Sequence, residues 1–345
     1  MTVGLVGKRI GCVLLAATLT SFQSIQAQSS TQTISASLRG LAARADASYR
    51  KGDYETAIKL YSEVIRQQPS LAEVYIARGA AYHANRTREK ALADFNRAIE
   101  LNPKSARAYC DRAELKEQLL QQPDGALADY NEAIRLAPSF QRAYFNRGAY
   151  FITRQDYARS IADFTRAIQL VPNDLSAYAY RAYAHRRHGD RARALVDATT
   201  AINLKPTEFY LWRPTALQLR AWAYRTIGKQ ELALRDLREA VRLMPNNHAA
   251  NDNLAWSLAT CPEDRFRNGA GAVSAAKKGC ELSHWKGVGC YDTLAAAYAE
   301  AGDFDQAVKY EKQSLSDSSM APKERQEREK RLALFQQRKP FRDEF

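Results

Sequence analysis

Five arginines and five aspartates carry the most regular charge pattern in this chain. Arg78, Arg112, Arg147, Arg181 and Arg220 each precede an acid, Asp94, Asp129, Asp163, Asp197 and Asp236, by 16 or 17 residues. Guanidinium and carboxylate pair through a planar fork, so the repeated spacing predicts a ladder of ion pairs between neighbouring elements. A binding role for the arginines is the alternative. Burial decides what such pairs are worth: losing one partner of a buried pair costs about 3–5 kcal/mol, whereas an exposed pair contributes about 0–1 kcal/mol. Catalytic constellations are not evident. There is no G-x-x-x-x-G-K-[ST] phosphate loop and no G-x-S-x-G elbow. The stretch Arg267 to Ala272 (RNGAGA) lacks the lysine of a phosphate loop and reads as a long turn. His185 and His188 have a spacing that could hold a metal, but no third ligand is evident, so solvated or capping histidines are expected. The carboxylates fall at repeated places. No cofactor, metal or catalytic centre is predicted, and the expected class is non-enzymatic.

The elements that must position these charges repeat as well. ALADFNRAIELNP (91–103), ALADYNEAIRLAP (126–138) and SIADFTRAIQLVP (160–172) are near copies. The closing prolines, Pro69, Pro103, Pro138, Pro172, Pro206 and Pro245, lie 34, 35, 34, 34 and 39 residues apart. With each proline counted as position 32, position 8 is Ala45, Gly79, Ala113, Gly148, Ala182 and Ala221. Position 24 is Tyr61, Phe95, Tyr130, Phe164, Ala198 and Leu237. Small residues let two helix backbones approach, and large ones fill the space between them. The apolar spacing is helical, not alternating. Gly52 and Gly189 supply positive-φ turns between helices, and each proline ends the helix before it.

This pattern resembles the tetratricopeptide repeat, a 34-residue helix–turn–helix unit. The resemblance implies an all-α, right-handed α-solenoid of antiparallel helix pairs. About eight repeats are expected over 38–317: six regular ones over 38–247, a degenerate one over 248–283 and a final one over 288–317. Residues 318–345 are expected to form a C-terminal capping helix and tail, with Leu332, Leu334 and Phe335 laid on the last repeat. In this family the first helix of each pair lines a concave face through positions 2, 5, 9, 12 and 13. Carried over, position 9 is Asp46, Ala80, Glu114 and Ala149, then Tyr183, Trp222 and Trp256, with Arg142, Arg186, Arg187 and Arg225 on the same face. Tyr, Trp and Arg dominate binding hot spots. The expectation is therefore a scaffold or adaptor whose groove takes a protein or peptide, acidic or C-terminal in character. Packing of the tryptophans against neighbouring helices is the alternative at these sites. A chaperone or envelope-assembly factor, and a regulatory subunit of an enzyme on another chain, are alternative functions. Phe209, Tyr210 and Trp212 form a second candidate contact, or a plug, in the insertion before the sixth repeat.

The start of the chain reads differently. Lys8 and Arg9 precede Ile10 to Phe22, an uncharged run of 13 residues, and Ile25-Gln26-Ala27 offers a cleavage site. The run is too short to span a bilayer. A signal peptide over 1–27 is expected, followed by a polar linker over 28–37. An exported bacterial protein, periplasmic or secreted and with no transmembrane span after cleavage, follows. The net charge of +13 becomes +11 when Lys8 and Arg9 are removed. Many of the arginines are matched by aspartates and no nucleic-acid signature accompanies them, so acidic proteins or anionic surfaces are the expected partners and nucleic acid is not. Of the mature cysteines, Cys110, Cys261, Cys280 and Cys290, the pair Cys280–Cys290 is the preferred disulfide; four independent thiols are the alternative.

Overall fold

The computed structural model describes residues 35–119, 123–204, 213–285, 289–317 and 320–343. The expected leader, most of the linker, Pro206 and the aromatic insertion at Phe209, Tyr210 and Trp212 lie outside the described residues. Among those described are seventeen α-helices and one 3₁₀ turn, with no strand.

Two compact blocks meet at the Pro172–Asn173 junction in the chain. The N-terminal block contains α1 (Ala36–Arg50), α2 (Tyr54–Gln67), α3 (Ala72–Ala84), α4 (Arg88–Leu101), α5 (Ala106–Leu119), α6 (Pro123–Leu136), α7 (Gln141–Thr153) and α8 (Tyr157–Leu170). The C-terminal block contains α9 (Leu175–His188), α10 (Arg191–Asn203), α11 (Arg213–Thr226), α12 (Gln230–Leu243), α13 (His248–Thr260), α14 (Gly269–Leu282), α15 (Gly289–Glu300), α16 (Phe304–Ser314) and α17 (Pro322–Gln336). In each block successive helices pack as pairs, and each pair packs on the next. This is an all-α solenoid architecture.

Local chemistry explains the pairs. Gly52, Gly189, Gly228 and Gly302 end first helices with φ between +74° and +92°. Arg86 and Gln155 take the same left-handed conformation at the equivalent places, at φ 61° and 60°. An aspartate then caps several second helices: Asp53, Asp156, Asp190 and Asp303 accept the backbone N–H of Thr56, Arg159, Arg193 and Gln306. Such a cap satisfies a donor the helix start leaves without an internal partner. Thr87 and Lys229 occupy the same place without a side-chain cap bond. Second helices α2, α4, α6, α8 and α12 stop two residues before Pro69, Pro103, Pro138, Pro172 and Pro245, as the restricted residue before proline requires.

The small-against-large contact is direct. A Cβ on Gly79 would fall 2.7 Å from Phe95 Cε1, and one on Gly148 would fall 3.1 Å from Phe164 Cζ. At these two places the phenylalanine at position 24 leaves little or no room for a Cβ at position 8. Where position 8 is alanine, position 24 holds Tyr61, Tyr130, Ala198 or Leu237.

The RNGAGA stretch differs from the long turn expected. Asn268 caps α14 by accepting from the Gly271 N–H, so the glycines form the first helical turn. Gly269 sits so close to Ala301 that a Cβ would lie 2.7 Å from its Cα. The closing helix α17 is held by more than the expected apolar residues. Phe335 is fully buried, but so are most of Arg328 and Arg331. Arg331 pairs with Asp292 at 2.7 Å and with the buried Glu311 at 3.4 Å.

Candidate docking face

The five predicted arginine–aspartate pairs form a uniform geometry. Arg78 Nε and Nη2 donate to the two carboxylate oxygens of Asp94 at 2.8 Å each. The same fork joins Arg112 to Asp129, Arg147 to Asp163, Arg181 to Asp197 and Arg220 to Asp236, at 2.6–2.8 Å. Side-chain exposure is 3–8% for the aspartates and 13–20% for the arginines, which is the buried regime. At Asp163 burial outweighs Arg147 and holds the carboxyl above its ordinary pKa. The third arm was missed in the sequence. Arg78, Arg112 and Arg147 also donate through Nη1 to Ser62, Asn96 and Asn131 on the second helix of the preceding pair, at 3.0, 2.8 and 2.6 Å. The signal was a polar residue at position 25 of each preceding repeat.

On the first-helix face of the N-terminal block, charge is consumed internally. Arg107 lies between Glu73 (3.8 Å) and Asp111 (3.6 Å). Arg142, predicted to contact a partner, instead binds Asp111 and lies over the Phe140 ring. Its guanidinium is taken up by the neighbouring first helix, which corrects that expectation. Glu114 is buried, accepts from Asn146 Nδ2 at 3.3 Å, and is pushed up to about 8 by burial and then by Glu117. Glu117 accepts from the Tyr130 hydroxyl at 3.2 Å and is raised to about 7, also by burial.

The C-terminal block presents different chemistry. Tyr183 packs against the Ala182, Ala198 and Leu219 cluster, so its ring is partly structural. The Arg186 guanidinium lies 4.9 Å from the Trp222 ring centroid. Burial pushes Arg186 down to about 10, and the positive charges of Arg187 and Arg225 act in the same direction. Arg187 and Trp222 are half-buried. Arg225 and Trp256 are not open, contrary to expectation. The Arg225 Nη2 and the Trp256 indole N–H both donate to Asp343 Oδ2, at 2.7 and 2.8 Å, and Phe341 packs on Trp256 with centroids 5.9 Å apart. The chain's own tail covers them. No sequence pattern signalled this contact, which joins residues 118 and 87 positions apart.

Two smaller expectations are also revised. His185 is buried rather than solvated, 3.8 Å from Asp197, and burial lowers its pKa. Cys110, Cys261, Cys280 and Cys290 are free thiols; the Cys280 thiol donates to the Cys290 carbonyl at 3.2 Å rather than forming a disulfide with it. Among the described residues no three potential ligands converge as a metal site, and no helix is long and apolar enough to cross a membrane.

Comparison with known proteins agrees with the repeat geometry. Family profiles described as TPR repeat and tetratricopeptide repeat match residues 45–85, 72–105, 120–174 and 214–247. The chain is a tetratricopeptide-repeat protein. It is 38% identical over 69 residues to the protein SGT1 homolog of Oryza sativa subsp. japonica, which is 20% of this chain and 19% of that protein. It is 43% identical over 65 residues to serine/threonine-protein phosphatase 5 of Homo sapiens, 19% of this chain and 13% of that one. The chain thus spans a fifth or less of the length of these relatives. Among solved structures, the APC/C hetero-tetramer Cut9-Hcn1 superposes with a TM-score of 0.62 at 16% identity, covering 85% of this chain and 55% of that one. That likeness is one of fold.

Proposed function

We propose that this chain is a non-enzymatic adaptor, the scaffold role that a tetratricopeptide fold supports, and that its C-terminal block docks an extended, acidic segment of a partner on the first-helix face of α9 and α11. The observation that carries this reading is the Arg186 guanidinium stacked on Trp222, with Arg187 adding positive charge. Desolvated cations beside an indole favour a carboxylate-bearing ligand, because a charged partner restores what burial removes. A face held by packed helices also needs little ordering on association. Export through residues 1–27 belongs to the same proposal, and N-terminal sequencing of fractionated protein tests it.

A photo-crosslinking residue at position 222, in the intact cell, tests the docking face. One or two defined adducts are expected, and Arg186→Ala with Arg187→Ala should abolish them. A broad set of unfolded clients would favour a chaperone. A single enzyme whose activity changes on capture would make the chain a regulatory subunit. Absence of any adduct, or adducts insensitive to the double substitution, would overturn the reading.

A further inference from the structure

The tail after α17 has no regular secondary structure over 339–343 and lies on the first-helix face of α11 and α13. Its contacts are those of a ligand rather than of a loop. One oxygen of Asp343 accepts both the Arg225 guanidinium and the Trp256 indole N–H. The backbone N–H of Asp343 donates to the Thr260 carbonyl at 3.0 Å. Phe341, two residues earlier, lies against Trp256, and the Arg331 guanidinium sits 5.6 and 5.5 Å from the Trp256 and Phe341 rings. Arg342 between them turns to Glu300 at 2.8 Å. Arg225 is 5% exposed, so the acceptor sits in a built, desolvated site.

We infer that this site recognises an extended peptide with an aromatic residue two places before an aspartate, and that the chain's own Phe341-Arg342-Asp343 fills it as an internal competitor. The inference rests on the docking reading above and adds to it the ligand pattern and its regulation. Alternate side chains of an extended segment point to opposite sides, so residues two apart face one surface together. The aromatic takes the Trp256 ring, the acid takes Arg225 and the indole N–H, and the residue between, Arg342 here, turns away to Glu300. A tethered tail presents itself at an effective concentration on the order of mM, so a partner of the same pattern must outcompete it. Affinity in trans falls by the fraction of molecules whose site is open.

The test uses the full chain and a labelled peptide with the sequence of residues 337–343, amidated at its end so that only the aspartate side chain offers a carboxylate. Fluorescence anisotropy should show weak binding to the native chain. It should show at least about tenfold tighter binding to the Phe341→Ala, Asp343→Asn chain, with Asp343→Asn alone intermediate. A peptide with asparagine in place of the aspartate should lose at least about tenfold on the opened chain. Arg225→Gln in the opened chain should remove the preference between the two peptides. Equal binding to native and opened chains, with both melting alike, would overturn the competitor. Failure of both peptides on the opened chain would overturn the ligand pattern. Crosslinking from position 222 would then still stand or fall separately, because that position lies outside the tail contacts named here.

Discussion

In the N-terminal block, α5 sets Glu114 and Glu117 on the same helical face on which α9 and α11 of the C-terminal block set Tyr183, Arg186 and Trp222. The register is shared, and the outcomes differ. Arg107, Arg142, Asp111 and Glu73 bind one another, so the first face closes on itself. On the second face Arg225 and Trp256 bind a segment from the far end of the chain. Repeat position therefore fixes where a side chain points, while its neighbours on adjacent repeats decide whether it remains available.

The largest test of that comparison concerns what the two blocks have in common. Asp129→Ala in one block and Asp236→Ala in the other should each strand a buried guanidinium and cost about 3–5 kcal/mol in denaturant unfolding. A loss in one block only would show that the ladder is not equivalent in both.

The next test separates them by pH. Glu114 and Glu117 have folded pKa values raised to about 8 and about 7. The folded state therefore holds protons that the unfolded state releases above its ordinary carboxyl pKa. Their contribution is fully present below about pH 4 and is lost as pH rises through 7 to 8, by a few kcal/mol at most. Hydrogen exchange of α5 and α7 should report this slope, and Glu114→Gln should flatten it without altering α9 or α11. In the C-terminal block the raised carboxyls, Asp252 at about 7 and Glu311 at about 9, instead lie on α13 and under the closing helix.

A smaller effect probes packing. Gly79→Ala should drive a methyl into Phe95 and cost about 1–3 kcal/mol; an unchanged melting temperature would remove the close approach. Smallest of all, Lys229→Asp should restore the missing cap of α12 and stabilise the C-terminal block by about 1 kcal/mol, leaving the N-terminal block unaffected.

The helix pairs were legible because periodic residues report on a periodic surrounding. Gly79 with Phe95 and Gly148 with Phe164 announce a helix contact whose partner lies one turn-and-return away. The arginine–aspartate ladder was legible for the same reason. Its third arm was not, since Ser62, Asn96 and Asn131 belong to the preceding repeat. The fate of Arg142 was also hidden, because Asp111 lies in the degenerate part of the repeat's pattern. His185 looked solvated for want of a visible apolar neighbour, though Asp197 had already been placed beside its helix. The tail contact had no periodic counterpart at all. A single aromatic and a single acid in a polar end give no register from which to infer a partner 118 residues away.

The third arm of Arg78, Arg112 and Arg147 has a consequence for how such an array can lengthen or shorten. Because Arg112 grips both its own pair and the helix behind it, the natural joint is not the proline-marked border between copies. A copy cut out at its prolines would take a donor away from its acceptor on one side and leave an acceptor idle on the other. Duplications and deletions that preserve a phase of one whole period would heal both ends at once. Grafts from a chain with a different residue at position 25 would carry a fault at every seam.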